Sequence, residues 1–404
     1  MKQPLRIEAE PLRLNLKTTV RHASASRNKG ESIFVQAKRN KKTGYGEGCP
    51  RVYVTGDDID ASLVWIKKNF SSDKVNFVTI AELRQWSEDN EKEIDNYPSA
   101  WCAIEMAMLD LLSREKGCTV EKILGLDDGN LCGRYTAVLG DNKKDAYTML
   151  AGKYLRRGIS DFKIKLNGNL GNDIEKLNIL EKLSAQHLTE PIRIRLDANN
   201  LWKDNCGEAI KYTKKLGIER IFAVEEPVGA KNAEDISKFS TATGLPVILD
   251  DSLCIVGDLS LYRNIAGKFI ANIKVSKVGG LIRALKMIKM LKKMRWPIIV
   301  GCHVGETSLL TRAALVVSGA AGNSLIAHEG AFGDYLIEWE PVSPILKFGH
   351  HGLLDLNSPY HIETDQGLTV VPAENWEIGF GMQCSMPLTN DLEEENLAFI
   401  QNSH

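Results

Sequence analysis

Between residues 134 and 328 the chain alternates short apolar runs with amphipathic stretches of helix length. The runs fall at 134–139, 162–165, 194–197, 223–225, 247–250, 270–274, 297–301 and 324–328, and the 3.6-period stretches at 145–157, 173–186, 207–217, 233–243, 258–266, 282–294 and 308–318. Eight such runs predict an α/β fold, a closed (β/α)8 TIM-type barrel rather than an open doubly wound sheet. The run at Arg193-Ile194-Arg195 is less apolar than a fully buried strand should be. Upstream the period is different. Leu12, Leu14 and Leu16 alternate at period two, 32–37 reads as a second strand, and the turn at 41–44 leads into a third. Helical patterns follow at 60–68, at 80–86 and from Pro98 through Ala103, Met106, Ala107 and Leu111. Strands and then helices without alternation predict a separate α+β domain over residues 1–130, ahead of a barrel over 131–330. Residues 331–372, rich in Gly and Pro, are expected to return to that first domain, and 373–404, with Glu393-Glu394-Glu395, to form a peripheral acidic tail.

Composition narrows the field. A chain of 404 residues with 43% apolar content has material for one large core or a barrel plus a smaller domain. A formal net charge of −1 gives no basic surplus, which argues against nucleic acid or an anionic membrane as the main partner. The first residues lack the apolar core of a signal peptide, and no apolar stretch approaches the roughly 20 residues of a membrane span. Eight scattered cysteines without a Cys-x-x-Cys pair suggest neither a zinc site nor a disulfide framework, so a reducing cytoplasm is expected.

The chemistry lies where the apolar runs end. Lys165, Asp197, Glu225, Asp250 and Lys274 close five successive runs, spaced 24 to 32 residues apart. In a parallel barrel these ends meet at one face, where active sites are built. Three converging carboxylates repel one another and need a cation or protons. An all-oxygen ligand set favours magnesium, or manganese, over zinc. Taken singly, each is an ordinary charge at a strand end. Three in succession, flanked by lysines, are better read as a metal site with an amine on each side. An amine near a cation and other lysines is expected to have a lowered pKa and to act as a base near neutrality. Lys163, two positions before Lys165, shares its face; its charge is expected to depress Lys165 and to meet a substrate carboxylate. The cation would acidify the α-proton of that substrate.

In order, Lys163-x-Lys165, Asp197-Ala198-Asn199, Glu225-Glu226-Pro227, Asp250-Asp251-Ser252 and Lys274-Val275-Ser276-Lys277-Val278-Gly279-Gly280 resemble the enolase superfamily, in its muconate-lactonizing-enzyme subgroup. The resemblance runs from about residue 5 to about residue 360 and makes the first domain a cap over the barrel mouth. It implies Lys165 and Lys274 as the acid/base pair and Asp197, Glu225 and Asp250 as Mg2+ ligands. Glu226 and Asp251 would stand behind them as positioning groups, with Asn199 beside the substrate. The frame within the Glu-Glu and Asp-Asp pairs comes from the family pattern, because strand parity alone leaves it open. Lys277 matches a frequent family lysine and is given no chemistry. A homo-oligomer is implied by the same analogy.

One such site supports several outcomes. Two opposed lysines permit racemisation or epimerisation; one lysine acting alone suits cycloisomerisation or syn-elimination. Selectivity is expected from Arg21, His22, Arg27, Arg51 and Tyr53 in two capping loops, and from His303, Glu306, His328 and Glu329 after the last two strands. The loops read equally well as solvated connections, and the two histidines as inert mouth residues. Dipeptide epimerases carry Asp-x-Asp after strand eight, where this chain has His328-Glu329-Gly330; after strand seven it has His303-Val304-Gly305-Glu306 in place of Met-x-Glu. The expected function is a magnesium-dependent racemase or epimerase of an amino-acid-like or N-substituted carboxylate, with Glu329 as an ammonium partner. The alternatives are a cycloisomerase or syn-dehydratase on an acid without an amine, and a barrel that binds a carboxylate or metal without turnover.

Overall fold

The computed structural model describes residues 4–22, 25–71, 75–127, 131–140, 143–364, 367–372, 376 and 378–384. The chain opens with an antiparallel meander of β1 (Arg6–His22), β2 (Ala25–Arg39) and β3 (Lys42–Gly48). The β1–β2 pair runs in register from Arg6↔Lys38 to His22↔Ala25, with one irregularity between Asn15 and Val20. Five helices follow: α1 (Ile59–Phe70), α2 (Ile80–Asp89), α3 (Glu91–Asn96), α4 (Pro98–Lys116) and α5 (Val120–Leu124). The short α3 and α5 escape a periodicity reading because neither completes two turns.

Helix α4 is the spine of this cap. Pro98 starts it, Gly117 in the left-handed region ends it, and its residues from Pro98 to Ser113 are all buried. Strand β3 lies directly on it through Gly44, Gly46 and Gly48. A Cβ on Gly46 would come within 1.9 Å of the Ala103 carbonyl oxygen, and one on Gly48 within 1.8 Å of that of Ser99. Period-two glycines therefore bring strand backbone onto helix backbone. Behind α4, Trp86 stacks on Trp101 with ring centroids 4.4 Å apart, extending the cap core.

A short β4 (Cys132–Arg134) precedes the barrel and pairs with β14 (Leu353–Asp355), outside the barrel sheet. The barrel itself runs β5 (Ala137–Leu139), α6 (Lys144–Arg156), β6 (Asp161–Lys165), α7 (Leu170–His187), β7 (Arg193–Asp197), α8 (Cys206–Leu216), β8 (Ala223–Glu225), α9 (Ala233–Thr243) and β9 (Val247–Leu249). It continues with a 3-10 segment (Val256–Tyr262), β10 (Phe269–Ile273), α10 (Leu281–Met294), β11 (Ile298–Val300), α11 (Ser308–Ala321) and β12 (Leu325–His328). Strands β5 to β12 form one sheet in sequence order with parallel pairing. A bridge between Tyr135 and His328, with Thr136 N–H donating to the His328 carbonyl at 2.9 Å, joins its two ends and closes the barrel. The chain is an α/β protein with a TIM-type barrel.

Two elements differ from the sequence reading. The run at 134–139 is not one strand: it breaks at Tyr135-Thr136, where the chain leaves β14 and enters the barrel. In place of an α-helix at 258–266 there is a 3-10 segment over Val256–Tyr262 followed by a turn, with the Asp258 carboxylate turned back to cap the N–H groups of Cys254 and Ile255.

After β12 the chain returns to the cap. Strand β13 (Val342–Ser343) pairs with β17 (Gln383–Cys384), and β15 (Tyr360–Thr364) forms a hairpin with β16 (Gly367–Val371). Trp376, Phe380 and Met382 are buried, so these residues are not part of a peripheral tail. The Phe380 N–H donates to Asp110 at 2.8 Å, and Arg114 donates to the Met382 carbonyl at 2.6 Å, both partners belonging to α4. The acidic stretch beyond residue 384 lies outside the described residues. No described helix is long and apolar enough to cross a membrane.

Candidate active site

Inside the barrel Ala223, Ile248, Ile270, Ile299 and Ala327 form an apolar cluster separate from the main core. Two residues further along their strands, the same parity brings Glu225, Asp250, Asn272, Gly301 and Glu329 inward. The register pairs Lys165 with Asp197 and Asp197 with Glu225, which puts these three charges on neighbouring strands at one level. They open into a cavity of about 670 Å3, walled also by Lys163, Asn199, Asp250, Asp251, Lys274, His303, Glu306 and Glu329.

Each carboxylate is drawn to a lysine. Asp197 accepts from Lys165 at 2.7 Å, and Lys163 lies 3.9 Å from it. Glu225 accepts from Lys163 at 3.1 Å. Asp250 accepts from Lys274 at 2.5 Å and from Lys277 at 2.8 Å. Against burial, these cations hold Asp197 below and Asp250 well below the usual carboxylate range. Glu225 goes the other way: burial, with Asp197, Glu329 and Asp250 close by, pushes it well above that range despite Lys163. The site thus has one buried carboxyl short of positive charge.

A divalent cation suits that shortage, and the oxygen-only donors of Asp197, Glu225 and Asp250 fit a hard ion. Among the described residues, the trio of His, Cys, Asp or Glu ligand atoms lying mutually within 4.8 Å is instead Cys49, His303 and Glu306. Asp197, Glu225 and Asp250 do not form such a trio, each being drawn to a lysine. Lys274, expected to have a lowered pKa, has it raised well above the usual value: burial opposes this, but Asp250 and Glu225 outweigh burial.

Neighbouring groups fix these carboxylates. Asn199 donates its side-chain amide to Asp197 at 2.7 Å, from a left-handed backbone that asparagine tolerates. Glu226, also left-handed, turns away from the mouth and accepts from the Asp250 and Ser252 N–H groups at 2.7 and 2.8 Å, pinning the turn that carries Asp250. Burial, and Asp251 beside it, raise its pKa to about 8. Asp251 reaches the cavity wall and accepts from Asn200 at 3.0 Å.

The remaining candidates divide. Tyr53, His303, Glu306 and Glu329 line the cavity. Arg51 does not: it is buried and donates to the carbonyls of Glu31, Pro50 and Val304, tying the cap loop to the barrel rather than facing a ligand. His328 also lies off the cavity, against Gly133 and the Tyr135 ring, where burial lowers its pKa to about 4. Arg27 sits over the Tyr53 ring with its guanidinium carbon 5.5 Å from the centroid. The side chains of Arg21 and His22 lie outside the described residues. Glu329 is already occupied, accepting from Lys163 at 2.6 Å and from Arg195 at 3.1 Å.

Two residues with clear structural roles here carried no assignment from sequence. Arg195, wholly buried, holds Glu329 and contacts Thr136; its signal was the odd polarity of its strand. Lys277, wholly buried, anchors Asp250 and donates to the Asp250 and Asn272 carbonyls. The far wall of the cavity, from Lys17, Thr18, Thr19 and Val20 in β1 to Met149 and Lys153 in α6, gave no signal because none of these residue types is distinctive.

A family model described as enolase C-terminal domain-like matches residues 146–375. A hydrophobic dipeptide epimerase of Enterococcus faecalis is 24% identical over 346 residues, covering 85% of this chain and 94% of that protein. An L-Ala-D/L-amino acid epimerase of Maribacter is 30% identical, covering 74% and 82%. The crystal structure of an N-succinyl Arg/Lys racemase from Bacillus cereus superposes with a TM-score of 0.76 over 98% of both chains at 20% identity. The chain belongs to the enolase superfamily, in the subgroup that includes muconate-lactonizing enzymes. It is an enzyme of the isomerase type found in that superfamily, whose members bind Mg2+.

Proposed function

We propose that the protein is a magnesium-dependent racemase or epimerase acting on an amino-acid-like carboxylate whose nitrogen is substituted. The observation that carries this reading is the placement of two amines. Lys165 ends β6, and Lys274 follows β10. Three strands lie between them on either side of the eight-stranded barrel, so they stand across the mouth from each other. A substrate between them presents one face to each. One lysine takes the α-proton and the other returns a proton to the opposite face, inverting the carbon.

Asp197, Glu225 and Asp250 are the residues to hold the cation, and Asn199, Glu226 and Lys277 keep two of them in place. When bound, the cation supplies electrophilic stabilisation of the carboxylate as negative charge grows on it. The substituted nitrogen follows from charge. Glu329, the carboxylate expected to receive an ammonium, is spent on Lys163 and Arg195.

The test is a panel of N-acyl amino acids, dipeptides and simple hydroxy acids incubated with the magnesium-loaded enzyme in D2O. α-Deuterium together with loss of optical rotation is the expected result for N-acyl members. A lactone or dehydrated product without α-exchange would overturn the reading in favour of lyase or cycloisomerase chemistry.

A further inference from the structure

We infer that Nε2 of His303 is the acceptor for an amide N–H attached to the reacting carbon, which makes this histidine a specificity-determining residue. The inference rests on the racemase or epimerase reading and adds to it which nitrogen chemistry the site selects.

The other ring nitrogen fixes the tautomer. Nδ1 lies 3.0 Å from the carbonyl oxygen of Cys49. A carbonyl can only accept, so Nδ1 carries the hydrogen. In a neutral imidazole the lone pair is then on Nε2, which becomes an acceptor without a hydrogen to give. Burial, with the Lys274 and Arg51 charges close by, lowers the pKa well below the ordinary value and keeps the ring neutral. The backbone of the cap thereby sets the tautomer of a residue in the barrel.

Nε2 is buried with no hydrogen-bond partner in the protein, on a residue that is 4% exposed and lines the cavity. A buried acceptor left without a donor costs stability, and a ligand that supplies the donor recovers it. The position is near the reacting centre. His303 follows β11, which pairs in register with β10 through Ile273↔Val300, one residue short of Lys274.

The surroundings select the kind of donor. An ammonium there would face the Lys274 charge. Glu306, whose carboxylate accepts from the His303 backbone N–H at 2.6 Å, is held by burial at a pKa of about 8, and Glu329 is already paired with two cations. A neutral amide N–H meets none of these penalties. An ester oxygen in the same place would set lone pair against lone pair.

The test compares an N-acyl amino acid with the O-acyl 2-hydroxy acid of the same shape, which lacks only the N–H. Binding to the magnesium-loaded enzyme is read by calorimetry and α-exchange by NMR in D2O. The unaltered protein is expected to bind the amide at least roughly tenfold more tightly than the ester, the size of one hydrogen bond in a closed site. His303→Phe should bring that ratio close to one, mainly through KM, and His303→Gln, whose side-chain carbonyl can accept, should restore part of it. Equal binding of amide and ester by the unaltered protein overturns the inference, and so does a ratio that survives in His303→Phe. Should the Phe variant not fold, the amide–ester comparison on the unaltered protein still decides. A preserved binding ratio with no α-exchange from any pair would keep the role of His303 and overturn the racemase reading.

Discussion

Lys165 and Lys274 carry separate halves of the proposed reaction, so their replacement should separate the two half-reactions. Lys165→Ala and Lys274→Ala should each lower turnover about 10²- to 10⁴-fold, the usual contribution of a positioned acid or base. Each should retain slow α-deuterium exchange for one enantiomer only, and opposite ones, checked by NMR on resolved substrates. Glu329 has a structural duty as well. Glu329→Gln leaves Lys163 and the wholly buried Arg195 without their shared counter-charge, and should cost about 3–5 kcal/mol in denaturant unfolding. The motif residues were legible in the sequence because proton transfer and oxygen coordination demand particular side chains at strand ends. Arg195 and Lys277 were not, because an arginine or lysine gains its role from partners 134 and 27 residues away that no spacing rule links to it.

At the scale of elements, the meander-on-helix contact is the feature most sensitive to a single methyl group. Gly46→Ala would drive a Cβ into the α4 backbone, where no side chain can swing aside. It should destabilise the cap by at least about 3 kcal/mol, beyond the 1–3 kcal/mol typical of overpacking between side chains, with a lowered Tm as the readout. The turn at 41–44 located this strand in the sequence, yet nothing there marked its glycines as contact residues. The contact that requires them is with a helix more than 50 residues downstream. Arg51 shows the opposite error. A basic residue in a capping loop resembles a ligand-binding group until its guanidinium is found on three carbonyls. Residue type alone does not separate the two.

For the molecule as a whole, the cap and barrel are joined by buried carboxylates at helix starts. Glu47 of β3 accepts from the Thr307 N–H at 3.1 Å and from its hydroxyl at 2.5 Å, at the head of α11. Glu105 of α4 accepts from the Ile282 N–H at 3.0 Å, at the head of α10. Burial raises Glu105 from 4.5 to about 7. A carboxyl raised in the folded state binds more protons folded than unfolded, so its contribution is greatest below pH 4.5 and declines as pH rises toward 7. The stability difference between wild type and Glu105→Gln should therefore move in favour of the variant by on the order of 3 kcal/mol across that window, measured by urea titrations at fixed pH values. The barrel and its cap were legible from the change of hydrophobic period. How the two meet was not, because the seam is made of single polar residues in segments that each look like ordinary strand or helix.

One edge of the cavity joins an early segment of the chain to a late one. The Lys17 N–H donates to the Leu336 carbonyl at 2.8 Å, Leu16 bridges Ile337, and the Glu338 N–H donates to the Asn15 carbonyl at 3.1 Å. On the ribosome, then, β1 pairs early with β2 but waits for this second neighbour while more than 300 residues are made. The carboxylates and lysines all emerge before that neighbour does. A nascent chain halted after β12 would hold every proposed acid, base and ligand and still lack the edge against which its opening hairpin lies. Capacity for the reaction precedes selection of the substrate in the order of synthesis. A chain shortened to end at residue 332 should accordingly show weakened protection of the 12–20 segment in hydrogen exchange.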